Sequence, residues 1–136
     1  MKSRYEGIQN YIMHADESCF FLSLLSVAEE ERKRMDWAFP KIDFLDAVRT
    51  CIDKGWLGSD YFVNDDIAIL RYLTGEDVKK EVVQEVGIVK GNQYTIEKWV
   101  CGNRTHFRRR GWDVYKNSQT VKNGYRMCTY KYTFEE

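Results

Sequence analysis

Apolar positions change their spacing partway along the chain. The first half carries them at helical intervals and the second half at alternate positions. Residues 3–13 place Tyr5, Ile8, Ile12 and Met13 on one side of a short helix that Gly7 weakens. After Asp16-Glu17-Ser18-Cys19 come Phe20, Phe21, Leu22, Leu24, Leu25, Val27 and Ala28. A segment apolar almost all round predicts a helix buried on all sides. Asp16 or Ser18 is expected to cap it, and Asp16 and Glu17 suit the positive end of its dipole. The run Glu29 to Arg34 predicts a solvated helix end with internal ion pairs, leaving the core. Asp43 is expected to cap a helix running to about Lys54 and stopped by Gly55, burying Phe44, Leu45, Val48 and Ile52. Asn64 is expected to cap a third helix over 65–73, ended by Gly75, with Ile67, Leu70 and Leu73 inward.

Beyond Gly75 the period is that of strands. Val82, Val86 and Ile88 alternate with polar residues. Further strands are expected over 94–101, 105–108, 112–115 and 125–134, with turns at Gly91-Asn92 and Gly102-Asn103. Asn123-Gly124 is a hairpin signal. Helices first and an antiparallel sheet after predict an α+β fold, with a buried central helix packed on a C-terminal antiparallel sheet. With no linker, low-complexity stretch or repeat in its 136 residues, the chain is expected to form a single domain over 1–136.

Composition narrows the function classes. Twenty-one Lys plus Arg balance 21 Asp plus Glu, so general attraction to nucleic acid or anionic lipid is not expected. The four cysteines, Cys19, Cys51, Cys101 and Cys128, form no CxxC and no zinc-ligand pair. No apolar run approaches the roughly 20 residues of a membrane span, and residues 1–10 hold no apolar stretch of the export-signal kind. The expectation is a cytoplasmic protein with reduced thiols, no metal and no organic cofactor. Asp60, Asn64, Asp65 and Asp66 miss calcium-loop spacing and read as capping residues, and no Gly-rich phosphate loop is present.

One constellation carries chemistry. Cys19 falls in the first turn of the predicted buried helix, where free backbone N–H groups favour a thiolate, the nucleophile of acyl transfer. The opposing reading makes Cys19 a small apolar core residue. His106, one of only two histidines, lies on a predicted strand. A tight turn over Arg108-Arg109-Arg110-Gly111 is expected to set His106 opposite Asp113 on the neighbouring strand, so that the carboxylate orients the ring. The opposing reading is a surface His–Asp pair on a basic hairpin.

A thiol opening a buried helix, then a His on a strand, then an Asp on the next strand, resembles the order of papain-like cysteine peptidases. The residues are Asp16-Glu17-Ser18-Cys19-Phe20-Phe21-Leu22-Ser23-Leu24, Thr105-His106-Phe107 and Gly111-Trp112-Asp113. The pattern is most similar to the small bacterial branch related to bacteriocin leader peptidases. Gly55-Trp56-Leu57, Tyr61-Phe62-Val63-Asn64-Asp65 and Leu73-Thr74-Gly75 are also similar to an uncharacterised family of plasmid- and phage-borne spirochaete proteins. The resemblance implies a papain-like fold and a Cys19–His106–Asp113 triad that cleaves a peptide, isopeptide or amide. Such enzymes place an oxyanion-binding glutamine about six residues before the cysteine. Met13 holds that place, leaving Gln9 or His14 as donor, and Val114 follows the aspartate where the related peptidases often have proline.

Arg104, Arg108, Arg109 and Arg110, with Trp112, surround His106 and suggest a contact surface for substrate or partner. The alternative to a hydrolase is therefore an inactive papain-like binding protein of a mobile element, touching a protein or nucleic-acid partner through this arginine-rich hairpin. A solvated hairpin tip is the plainest reading of the same residues.

Overall fold

The computed structural model describes residues 18–109 and 119–135. Three helices, α1 (Cys19–Arg34), α2 (Phe44–Asp53) and α3 (Asp66–Thr74), precede the strands β1 (Val78–Val83), β2 (Gln93–Cys101) and β3 (Arg104–Arg108). A short helix, α4 (Gln119–Asn123), leads into the last strand, β4 (Tyr125–Phe134). The strands form one antiparallel sheet in the order β1-β4-β2-β3. The fold is α+β, as the change of period predicts. The expected helix over 3–13 and strand over 112–115 fall outside the described residues.

α1 carries the core. Phe21, Leu22, Leu24, Leu25, Val27 and Ala28 are all fully buried. They pack with Ile69, Leu70 and Leu73 of α3 and with Tyr94, Ile96, Tyr132 and Phe134 on the central strands. At roughly 1.5–3 kcal/mol for each large apolar side chain removed from water, this cluster dominates the folding energy.

Local chemistry sets the helix ends. Asp43 caps α2 by accepting the Asp46 N–H at 3.0 Å, and Asp65, not Asn64, caps α3 by accepting from Ala68 N at 3.0 Å. Asn64 donates instead to the Gly55 carbonyl. Gly75 ends α3 at φ 71, a left-handed conformation that glycine adopts without strain.

Several expectations are corrected. Of the stripe predicted for α2, Phe44, Val48 and Ile52 pack against the core, whereas Leu45 is 71% exposed and Ala47 and Cys51 are the residues fully buried. β1 ends at Val83, before Val86 and Ile88, because its pairing runs against β4 from Val78 opposite Phe134 to Val83 opposite Thr129. Asn123-Gly124 does not make a two-residue hairpin; Asn123 closes α4 and β4 pairs with β1 and β2. Glu31, within the run expected to be solvated, is fully buried. Its carboxylate takes Arg34 Nε at 2.7 Å, Arg34 Nη2 at 2.6 Å and the Tyr94 hydroxyl at 3.0 Å. Burial pushes the Glu31 carboxyl up, but hydrogen bonds from Arg34, Glu76 and Tyr94 outweigh it and hold the group below its ordinary value. The same burial, with the bond to Glu31, pushes the Tyr94 phenol far above its usual range.

Among the described residues no helix is long and apolar enough to cross a membrane.

Candidate functional site

Cys19 is the first residue of α1, as the sequence predicts, and is fully buried. Ser18 occupies the capping position but makes no side-chain capping bond. Its hydroxyl is buried without a hydrogen-bond partner among the described residues. The backbone of Ser18 does enter the helix, its carbonyl accepting from Leu22 N at 3.0 Å.

The sulfur of Cys19 meets β3. Phe107 donates its backbone N–H to Cys19 Sγ at 3.2 Å. Among the described residues β3 pairs with β2 alone; the Phe107 N–H points away from β2 and is taken up by the sulfur. Aromatic contacts fix the approach. The Phe107 ring stacks on Phe20 with centroids 4.1 Å apart and 13° between planes, and Tyr130 packs against both. Phe107 N is one peptide step from His106, so Sγ lies within about 6 Å of the His106 Cα.

His106 is fully buried and faces Trp99 across the β2–β3 ladder. Strand alternation sends its side chain to the face opposite the Phe107 ring. Asp113 falls outside the described residues, as do Arg110, Trp112, Gln9 and His14. The site as described is therefore the start of α1 joined to the middle of β3.

The arginines divide into two kinds. Arg104, at the β2–β3 turn, is exposed. Arg108 instead donates Nε to Glu97 Oε1 at 2.9 Å and lies 4.8 Å over the Trp99 ring. Glu97, only 4% exposed, also receives the Trp99 indole N–H at 3.0 Å and lies 3.8 Å from Arg126. Arg109 donates to Ser26 Oγ at 2.6 Å and Glu30 Oε2 at 2.9 Å. Arg108 and Arg109 thus hold β3 to its own sheet and to α1, so that of the described arginines around His106 only Arg104 is exposed. The sequence signalled neither Glu97 nor Ser26 as partners, because each lies on a different element from its arginine.

Of the other thiols, Cys51 and Cys128 are buried and Cys101 is half-buried. Burial pushes the Cys51 thiol up to about 11, well away from a reactive thiolate. Among the described residues no cluster of His, Cys, Asp or Glu could hold a metal ion. A cavity of about 550 Å³ opens beside the far end of α1, lined by Glu30, Lys33, Arg34, Tyr94 and Arg109 among others. A second, of about 420 Å³, lies by Trp56, Tyr72 and Glu76. Cys19 and His106 line neither.

The chain matches no family model, no curated protein and no solved structure.

Proposed function

We propose that the protein is a thiol hydrolase of papain-like form, acting on a peptide, isopeptide or amide bond. The observation that carries this reading is the 3.2 Å hydrogen bond from Phe107 N–H to Cys19 Sγ. It brings a thiol at a helix start to the strand that holds His106. Cys19 attacks the carbonyl carbon, His106 takes the thiol proton and returns it to the amine as the C–N bond breaks, water activated by His106 then cleaves the acyl-thioester and restores the thiol, and Asp113 orients the ring. The unpartnered hydroxyl of Ser18, next to the nucleophile, supplies an oxyanion donor where the glutamine of papain-like enzymes is replaced by Met13.

A second reading is favoured by the full burial of both Cys19 and His106. On this reading the thiol ties α1 to β3, the fold is retained without turnover, and the protein binds a partner.

The deciding experiment is the rate of Cys19 alkylation against pH in the parent and in His106→Ala, with Cys51, Cys101 and Cys128 replaced by alanine in both. Rapid reaction with an apparent pKa well below the free-thiol value of about 8.5, lost without His106, supports the hydrolase. Slow reaction that ignores His106 supports the binder.

A further inference from the structure

β1 lies at one end of the strand order, and among the described residues no strand pairs with its outer side. The phase of its peptide groups follows from one bond. Glu135 donates its N–H to the Asp77 carbonyl at 2.9 Å. Asp77, and by alternation Lys79, Glu81 and Val83, therefore turn their peptide groups toward β4, and Val78, Lys80 and Val82 turn theirs outward. The opposite phase on β4 agrees, since Phe134 donates toward the β2 side, to Asn92. The outer edge is open: Lys79, Lys80, Glu81 and Val82 are exposed, Val82 by 61%.

We infer that this edge pairs with the β1 of a second copy, joining two four-stranded sheets into one continuous sheet. A two-fold axis perpendicular to the sheet keeps the helices of both copies on one face, so residues of the same face must lie opposite each other. That leaves three registers that retain most of the strand, centred on Lys79, Lys80 or Glu81. Centring on Lys79 sets Lys79 against its own copy and Asp77 against Glu81. Centring on Glu81 sets Glu81 against its own copy. Centring on Lys80 sets Lys79 opposite Glu81 twice by symmetry, and Val78 opposite Val82 twice. The same register brings the outward peptide groups of Val78, Lys80 and Val82 into hydrogen-bonded pairs. Charge complementarity thus selects one register, and the peptide phase fits it. The two central lysines do not oppose this arrangement strongly. Each Lys80 is neutralised at home by Asp66 at 2.7 Å and lies 3.9 Å over the Tyr130 ring.

The test is sedimentation equilibrium of the full chain over a wide concentration range. Lys79→Glu and Glu81→Lys alter exposed side chains, and each turns both cross-strand pairs into like charges; because Lys79 also pairs with Glu135 of its own chain at 3.0 Å, Glu81→Lys is the cleaner of the two. Each single change is expected to weaken dimerisation by at least about tenfold, whereas the double swap restores it with reversed polarity. Circular dichroism verifies that each variant is folded. A monomeric parent at high concentration, or single variants that dimerise like the parent, or a double swap as weak as the singles, would overturn the inference.

Discussion

Cys19 Sγ accepts the backbone N–H of Phe107 at 3.2 Å, so the sulfur ties the start of α1 to a β3 residue 88 positions away. In Cys19→Ala that amide loses its acceptor. The net value of one hydrogen bond is roughly 1 kcal/mol, so protection of the Phe107 amide against hydrogen exchange is expected to fall about five- to tenfold. Cys19→Ser, which keeps an acceptor, is expected to fall less. Native-state exchange followed by NMR measures both, and unchanged protection in the alanine variant would show that the sulfur is not the acceptor.

Ser18 offers a cleaner separation of stability from chemistry. Its buried hydroxyl has no hydrogen-bond partner among the described residues, so it contributes a desolvation cost without a compensating bond. Ser18→Ala is expected to leave stability unchanged or raise it by about 1 kcal/mol. If the hydroxyl serves the oxyanion, turnover falls by about 10²–10³ at the same time, once a substrate is found. Urea unfolding checks the first expectation independently of the second, and a loss of stability would mean that Ser18 supports the fold.

What was legible in the chain was local. The start of α1 at Cys19, the Asp43 cap and the Gly75 stop each depend on a few adjacent residues, and each is found in the structure. What was not legible depends on partners distant in sequence. Glu31 sits among five other charged residues and looks solvated, yet its partner Tyr94 lies 63 positions away on β2. Asn123-Gly124 has hairpin composition, but the strand that follows it pairs with β1 and β2 at long range. The candidate site divides in the same way. The sequence marks Cys19 and His106 as separate signals, while the bond that brings their elements together comes from the Phe107 backbone, which carries no side-chain signature.

Glu31 predicts a specific acid response. Its folded-state carboxyl titrates below its unfolded value, so its stabilisation is complete above the unfolded value of about 4.3 and is lost as the pH falls through the lower folded value. Glu31→Gln keeps the shape but removes the charge that Arg34 binds. At neutral pH it is expected to cost about 2 kcal/mol. Once the pH has fallen through that lower folded value the parent and variant converge, because protonated glutamate and glutamine present similar groups to Arg34 and Tyr94. Urea unfolding at a series of pH values measures the gap, and a gap that stays constant into acid would show that Glu31 is not the responsible group.

Gly124 gives the sharpest stability prediction. It is the single residue between α4 and β4, and the space a Cβ would need is already taken by the Val100 and Thr120 carbonyl oxygens. Both obstacles are backbone atoms. Val100 lies in β2, paired on one side with β3 and on the other with β4, so it cannot move without loosening two ladders. Thr120 lies in α4 and is itself buried. Gly124→Ala therefore forces the start of β4 away from β2, and the expected cost is about 3 kcal/mol, the size of an overpacked core site. Gly91→Ala is the matched control, since a Cβ there meets nothing within 4 Å. Thermal unfolding of the two variants side by side measures the contrast. Equal melting temperatures would mean that the α4–β4 junction does not pack against Val100 as described.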